Sequence, residues 1–206
     1  METPNSILIT SLESLKELNP IQKDSILNSV QKLEKKIFPK NEQMDILIEV
    51  KKRTNTLILA LSSTSNELNS ILVKGKENTN DQNKLKNNKK KNKSNINNIS
   101  KKETFKISKN NNYTVLGYLI YSKKDSIIKF AVDPSKRNQG TGWKLLSYSL
   151  ERMTNQMPKE HKINLAVDVS RLPAQHLYTK AGFKVKEQIN DYYELGRHAF
   201  IMEYII

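Results

Sequence analysis

The hydrophobic positions of the chain follow two periodicities, one helical and one extended. Ile26, Val30, Leu33 and Ile37 recur at spacings of four, three and four residues, so they share one face of a helix over residues 20–38. Prolines at the two ends of this stretch suit a first helical turn and a stop. Further helices are expected over residues 42–52, 142–154 and 173–180. Strands are expected over residues 6–10, 56–61, 113–122, 125–133, 162–169, 183–189 and 199–206.

The order of these elements is β-α-α-β followed by β-β-α-β-α-β-β. Helices interspersed among the strands of a mixed sheet favour an α/β or α+β sandwich. Lys123 and Lys124 separate two of the strands, which suits a hairpin. A length of 206 residues fits one domain with some excess, and we expect a single domain over residues 1–206.

The excess is found in one low-complexity tract. Residues 83–112 contain ten asparagines, ten lysines and a single acidic residue, and so carry +9 of the net charge of +14. Such a tract cannot bury enough apolar surface to offset its chain entropy, and we expect residues 74–112 to be a disordered insertion within the domain. Two interpretations remain open: an electrostatic tether to nucleic acid, the ribosome or acidic lipid, or a solvated tract without a specific partner. Phe105 is the only aromatic residue of 83–112, which favours the second interpretation.

Composition excludes several kinds of site. The chain has no cysteine, which rules out a disulfide framework, a cysteine-ligated zinc site and a catalytic thiol. Its three histidines are scattered, and we expect no metal site. The chain lacks a run of about 18 apolar residues, so no membrane span is expected, and its first residues lack the features of a secretory signal. A cytoplasmic protein is therefore expected, and the basic tract leaves a nuclear location open.

The candidate chemistry lies in a loop between a predicted strand and a predicted helix, where residues 137–142 read RNQGTG. Gly140 and Gly142 allow positive φ and a close approach of the backbone to a ligand. Free N–H groups at the start of a helix form an anion-binding cup into which a diphosphate would fit. The loop lacks the Gly-Lys-Ser/Thr ending of a Walker A loop and the third glycine of a Rossmann fingerprint.

A second motif gives this loop a context. Residues 137–142 fit the pattern RxxGxG, and residues 174–183 fit the pattern AxxLYxxxGF, with a predicted strand between them. Together these motifs resemble the GNAT superfamily of N-acetyltransferases, in the style of the protein N-terminal enzymes of the ribosomal-protein-alanine type. The resemblance covers residues 113–206 well and residues 1–73 by element order alone.

The resemblance implies a mixed, mostly antiparallel central sheet flanked by helices, and acetyl-CoA as co-substrate without a metal. The backbone of Phe130, Ala131 and Val132 would contact the pantetheine arm in a gap where this strand splays from the next. The diphosphate would be bound by Arg137, Asn138, Gln139, Gly140, Thr141 and Gly142. Tyr178 matches the family's general acid, which protonates the departing CoA thiolate. The alternative interpretation of Tyr178 is a packed aromatic residue at a helix end.

The sequence also departs from the family pattern. In related acetyltransferases a Glu or His often lies twelve residues before the tyrosine, where this chain has Ala166. Asp168 lies two residues further on the same strand face and is the candidate proton acceptor, or else it hydrogen-bonds a loop. Arg171 stands where the family often has Asn, and would contact a CoA phosphate or lie on the surface. A weakened enzyme or a CoA-binding module without activity remains an alternative.

The acceptor is indicated by the C-terminal region. Tyr192 and Tyr193 precede a loop and a last strand, as in protein N-terminal acetyltransferases, where such tyrosines line the peptide entrance; otherwise they cover the sheet edge. An α-amine has an ordinary pKa of about 7.7–8.0, against about 10.4 for lysine. A site with a weak base therefore loses less activity with an α-amine than with a lysine. The resemblance therefore implies direct transfer of acetyl to the N-terminal α-amine of a protein or peptide. A lysine or small-molecule amine is the alternative acceptor.

Overall fold

The computed structural model describes residues 7–63 and 113–206, and the predicted insertion over residues 74–112 lies outside the described residues. The strands are β1 (Ile7–Ser11), β2 (Asn55–Ser63), β3 (Tyr113–Ser122), β4 (Ser126–Val132), β5 (Lys162–Asp168), β6 (Lys184–Glu194) and β7 (Arg197–Ile205). The helices are α1 (Pro20–Ile37), α2 (Ile46–Glu49), α3 (Thr141–Thr154) and α4 (Leu172–Lys180). Short 3-10 turns cover Leu12–Ser14, Lys40–Glu42 and Pro134–Lys136.

The seven strands of the described residues form a single sheet in the order β1-β2-β3-β4-β5-β7-β6. Neighbouring strands are antiparallel, except for β4 and β5, which are parallel. The expected mixed, mostly antiparallel sheet with flanking helices is confirmed.

The sheet has an apolar core on each face, because alternate side chains of its central strands point to opposite sides. Leu146 and Met153 of α3 pack in one core with Leu165 of β5. Val30 of α1 packs in the other core with Leu59 of β2. Both faces of β2 and β3 are therefore buried, which explains their continuous apolar sequences. None of the helices in the described residues is long and apolar enough to cross a membrane.

The two prolines mark the ends of helix α1 as predicted, and Asn19 adds a cap that was not predicted. The Asn19 side chain accepts a hydrogen bond from Gln22 N (2.9 Å), and the Gln22 side chain accepts one from Asn19 N (3.1 Å), which forms a capping box. Pro20 occupies the first turn, where its missing N–H costs nothing. The helix stops at Ile37, two residues before Pro39.

The predicted helix over residues 42–52 is wrong in extent. The structure has only the single helical turn Ile46–Glu49 there. Asp45 fixes its start, because the Asp45 carboxylate accepts a hydrogen bond from Ile48 N at 3.1 Å. The following residues turn into β2, so the helix cannot extend to residue 52.

The last two strands form a longer hairpin than predicted. Strand β6 continues past residue 189 to Glu194, and β7 already begins at Arg197. Gly196 adopts a φ of 79° in the turn between them, and its N–H donates to the Asp191 carboxylate at 2.7 Å. Tyr192 and its neighbours therefore lie in the exposed part of this hairpin, outside the core.

A buried carboxylate ties α1 to the sheet. Glu34 has no exposed surface, and it accepts hydrogen bonds from the Tyr118 hydroxyl of β3 and from Met44 N. The Lys129 ammonium of β4 lies 3.3 Å from the same carboxylate. Burial raises the pKa of Glu34, and Lys129 opposes that change. These contacts fix the end of α1 above β3 and β4.

Gly117 of β3 lies where the chain leaves no room for a side chain. A Cβ atom there would lie 2.7 Å from Ala131 O and 3.1 Å from Leu145 Cδ1. We expect Gly117→Ala to lower the free energy of unfolding by about 1–3 kcal/mol, because overpacking forces the backbone to shift. Urea unfolding measures this, and Gly142→Ala is the control, because its Cβ would make an ordinary 3.4 Å contact with Leu177. Equal stability of the Gly117→Ala variant and the parent would contradict the prediction.

Candidate active site

Strands β4 and β5 separate almost as soon as they meet. Their register contains one pair, Ser126 with Asn164, next to a 2.7 Å hydrogen bond from Asn164 N to Asp125 O. A bulge in β4 accompanies this separation, because the pairing with β3 skips Ile128. The strands open into a cleft of about 450 Å³, lined by β4, β5, the α1–α2 connection, α4 and the β6–β7 hairpin. We refer to this space as the cleft.

The open edge of β4 presents backbone groups to the cleft. Val132 lies opposite Gly117, and the next residue, Asp133, donates its N–H to Leu116 O at 2.8 Å. By the alternation of an antiparallel ladder, Phe130 and Val132 direct their backbone groups away from β3, whereas Ala131 directs its own toward β3. Of the three residues predicted to contact a pantetheine arm, two therefore offer backbone groups on the open side.

The loop of residues 137–142 joins β4 to α3 beside the cleft. Asn138 and Gly140 have φ values of 58° and 78°. Among the described residues, no acceptor takes a hydrogen bond from the backbone N–H groups of residues 138–143. The hydroxyl oxygen of Thr141 is also buried without a partner. Six successive free N–H groups and one unpaired hydroxyl at a helix start fit an anionic diphosphate.

The side chains of the loop are held more loosely than its backbone. Arg137 Nε donates to Val132 O at 3.3 Å, and Gln139 donates to Ser135 O at the same distance. Residues 137–140 are exposed. The guanidinium of Arg137 thus remains at the loop and adds positive charge beside the free N–H groups.

Tyr178 lies on α4 with its ring in the core and lines the cleft. It is 7% exposed, and its ring packs between Phe130 and Phe183, with centroid distances of 6.2 and 5.8 Å. No hydrogen bond to its hydroxyl is found within the described residues. Burial raises the pKa of Tyr178, and Tyr193 adds to that rise. The hydroxyl is therefore neutral at physiological pH and has a proton to donate.

Asp168 ends β5 on the face of the cleft, but its carboxylate is already occupied. One oxygen accepts hydrogen bonds from Ser170 N and Ser170 Oγ, at 2.8 and 2.7 Å. The other accepts from Arg197 Nε and Nη2, at 3.1 and 2.7 Å. Burial alone would raise the pKa of Asp168, but these hydrogen bonds outweigh burial and lower it to about 2. This arrangement opposes the predicted role as proton acceptor and favours the alternative, in which Asp168 holds a loop.

A second carboxylate joins the same network. Glu42 accepts a 2.6 Å hydrogen bond from Arg197 Nη1 and lies 3.7 Å from Arg171 Nη2. Arg197 also reaches Glu194 at 2.9 Å, and these contacts with carboxylates raise the pKa of Arg197 further. Arg171 lies 5.3 Å over the Phe38 ring, so it packs at the cleft instead of reaching the loop of residues 137–142. Both carboxylates of the cleft are therefore paired with arginines.

The two predicted substrate tyrosines lie together at the mouth of the cleft. The rings of Tyr192 and Tyr193 meet edge to face at 4.9 Å. Tyr192 is 49% exposed, whereas Tyr193 is half-buried beneath Arg197, whose guanidinium lies 5.1 Å from its ring. Burial raises the pKa of Tyr193 to about 12, with a further contribution from Tyr192. Both rings offer apolar area and a hydroxyl at the entrance.

Sequence patterns missed three side chains of the cleft wall. Phe38 and Glu42 come from the α1–α2 connection, and Lys129 comes from β4. Lys129 Nζ lies 3.7 Å from the centroid of the Phe38 ring and donates to Glu42 O at 2.7 Å. These positions belong to neither motif, so only the packing of α1 over the sheet could reveal them. The described residues contain no group of His, Asp and Glu side chains that could hold a metal ion.

The lowered pKa of Asp168 makes a prediction about acid stability. Folding lowers this pKa from 3.8 to about 2. The ionised Asp168 carboxylate therefore contributes to the free energy of unfolding above pH 4, and this contribution is lost as the pH falls toward 2. We expect the stability advantage of the parent over Asp168→Asn to shrink by about 2 kcal/mol between pH 7 and pH 2. Urea unfolding at both pH values measures it, with Asp24→Asn on the exposed surface of α1 as control. An advantage that does not change with pH would contradict the ion pair.

Comparisons with known proteins agree with this geometry. An N-alpha-acetyltransferase of Sulfurisphaera tokodaii is 35% identical over 80 residues, which are 39% of this chain and 47% of that protein. An N-alpha-acetyltransferase of Saccharolobus solfataricus matches with the same identity and coverage. The chain spans about half the length of the curated relatives it matches.

Two solved structures share the fold. The ribosomal-protein-S18-alanine N-acetyltransferase of Escherichia coli has a TM-score of 0.58 and 16% identity, over 98% of this chain and 94% of that chain. Arabidopsis thaliana NAA60, in complex with a bisubstrate analogue, has a TM-score of 0.60 and 13% identity, over 98% of each chain. Residues 77–183 match the family described as the acetyltransferase (GNAT) family. That match extends over more than half of the chain, and the protein therefore belongs to the GNAT family of acetyltransferases.

Proposed function

We propose that this protein transfers an acetyl group from acetyl-CoA to the N-terminal α-amine of a protein or peptide. The observation that carries the proposal is the pairing of both cleft carboxylates, Asp168 and Glu42, with arginines. Neither is a free base, so the acceptor amine has to reach the cleft already neutral. An aromatic entrance of Tyr192 and Tyr193 suits a peptide backbone.

The ordinary pKa values of amines make this requirement selective. At pH 7.5 about a third of an α-amine is neutral, against about 0.1% of a lysine amine. A cleft without a free base therefore favours an α-amine by more than two orders of magnitude in the concentration of reactive amine. Ala166 lies on the cleft wall and cannot accept a proton, which is consistent with such a site.

The residues of the chain would act as follows. Acetyl-CoA supplies the activated thioester. The free N–H groups of residues 138–143 would hold the diphosphate, and the backbone of Phe130 and Val132 would orient the pantetheine arm. The amine nitrogen attacks the carbonyl carbon, so that a C–N bond forms and the C–S bond breaks. Tyr178 donates its proton to the departing sulfur, and the proton lost by the nitrogen restores the hydroxyl through water.

The curated relatives support the choice of acceptor. Both are N-alpha-acetyltransferases. A lysine or small-molecule amine acetyltransferase is the second candidate, and a CoA-binding module without activity is the third. Asp168 would serve in all three by holding Arg197 in place.

Peptide acetylation tests the proposal directly. Peptides that contain both a free N-terminus and an internal lysine are incubated with the protein and acetyl-CoA, and the acetylated position is located by mass spectrometry. We expect the α-amine to be acetylated, and kcat/KM to rise with pH around the pKa of the peptide's own α-amine. Acetylation at lysine alone would overturn the proposal in favour of the second candidate. Absence of product despite acetyl-CoA binding would favour the third.

Tyr178→Phe tests the general acid. We expect kcat to fall by about 10²-fold or more, with acetyl-CoA affinity unchanged, because the ring stays in place and only the proton donor is lost. Tyr204→Phe is the matched control, since Tyr204 packs against Phe183 in the same aromatic cluster but does not line the cleft. Steady-state rates and calorimetric titration separate the two quantities. An unchanged kcat in Tyr178→Phe would remove this residue from the mechanism.

A further inference from the structure

One guanidinium joins the two walls at the mouth of the cleft. The α1–α2 connection (residues 38–45) forms one wall, and the β6–β7 hairpin (residues 184–205) forms the other. Arg197 Nη1 of the hairpin donates to the Glu42 carboxylate at 2.6 Å. Among the hydrogen bonds and ion pairs of the described residues, this is the only one between the two walls. We infer that Arg197 is a positioning residue that sets the width of the mouth for a peptide acceptor, an inference that rests on the proposed function.

The ladder of the hairpin does not by itself fix the two tyrosines of the mouth. The register of β6 and β7 shifts between the pairs Ile189–Ala199 and Glu194–Arg197, and residues 190–193 have no partner in it. Both tyrosines lie in this bulge. Strand β5 gives no further support there, because its pairing with β7 ends at Ala199. A bulge bends its strand and interrupts the ladder, so the position of the tyrosines has to be fixed by side chains.

Arg197 supplies this support on its own wall. Its Nε and Nη2 donate to Asp168 at the end of β5, at 3.1 and 2.7 Å. Its Nη1 also donates to Glu194 at 2.9 Å, and the guanidinium lies 5.1 Å from the centroid of the Tyr193 ring. A guanidinium is planar and has five N–H donors, so one side chain can hold β5, the bulge and the opposite wall together. A lysine ammonium lacks this fixed fork of donors.

The opposite wall has an attachment to the sheet of its own. The Lys129 ammonium donates to Glu42 O at 2.7 Å, and Met44 N donates to the buried Glu34 carboxylate at 2.9 Å. Both contacts use the backbone of the connection, so they remain when the Glu42 side chain is shortened. Substitution can therefore remove the bridge from either end without detaching a wall from the sheet.

Two single substitutions and their combination test the bridge. Arg197→Lys keeps a positive charge beside Asp168, and Glu42→Ala removes the acceptor on the other wall. We expect each to raise KM for a peptide acceptor by about tenfold, and to change kcat and the acetyl-CoA dissociation constant by less than about twofold. The double variant should have the KM of the more impaired single variant, because both substitutions break the same contact.

A matched control removes a comparable ion pair away from the cleft. Lys162 lies 3.3 Å from Glu203, and this pair also joins β5 to β7, but at the opposite end of their ladder from Asp168. We expect Lys162→Gln to behave as the parent in every measurement. Urea unfolding of each variant shows whether it folds, and Glu42→Ala tests the bridge independently of the stability of Arg197→Lys.

Amide hydrogen exchange gives a readout that does not depend on catalysis. We expect Arg197→Lys to speed exchange in residues 38–45, and Glu42→Ala to speed exchange in residues 190–197. In each case the faster exchange would occur in the wall that does not carry the substitution. Exchange that changes only around the substituted residue would overturn the bridge.

The outcomes separate this inference from the proposed function. Peptide acetylation by the parent, with KM unchanged in Arg197→Lys and Glu42→Ala, would overturn the bridge and leave the proposed function intact. Effects on KM that multiply in the double variant would also overturn it, because independent losses do not share a contact. Weakened acetyl-CoA binding in both single variants would show a general structural role instead. A parent that does not acetylate peptides would overturn the proposed function, and the positioning role with it.

Discussion

The site depends on the separation of β4 from β5. Each strand keeps a ladder on its other side, β4 with β3 through one bulge and β5 with β7, so the sheet remains whole although its middle is open. The open edges carry backbone groups without a strand partner, and such groups cost free energy when they are buried unpaired. The cleft therefore has to hold water or a ligand with amide groups of its own. A pantetheine arm, which contains amides, meets that requirement.

The two ends of the site differ in charge. The cleft wall balances its charges, because each cation there faces a carboxylate: Lys129 with Glu34, and Arg171 and Arg197 with Glu42 and Asp168. The loop side has the free N–H groups of residues 138–143 and the guanidinium of Arg137, which favour an anion. A ligand with a charged end and an uncharged reactive end therefore has one favourable orientation, with its anionic groups at the loop. This difference in charge would orient such a ligand before any catalytic group acts.

Sequence patterns predicted the local features and missed the distant ones. The ends of α1 follow from Pro20 and Pro39, which act within one turn of the residues they affect. The loop before α3 and the tyrosine motif of α4 were visible for the same reason. Phe38 and Glu42 reach the cleft only because α1 packs across β3 and β4, and no short-range spacing encodes that contact. The end of β6 is set by the turn at Gly196. The neighbouring Leu195 is a residue type that also suits a strand, so the sequence alone does not show where β6 ends.

Asp168 shows most clearly what sequence patterns cannot predict. Strand alternation placed it on the same face as Ala166, and the structure agrees, but its partner Arg197 lies 29 residues away in the chain. That partner turns a carboxylate in the position of a base into one with a pKa of about 2. Once the carboxylates are taken by arginines, the neutral form of the amine has to come from the amine's own pKa. Under the proposed function, the arginine network would contribute to acceptor selection without contacting the acceptor, because it occupies the carboxylates that could serve as a base for a lysine.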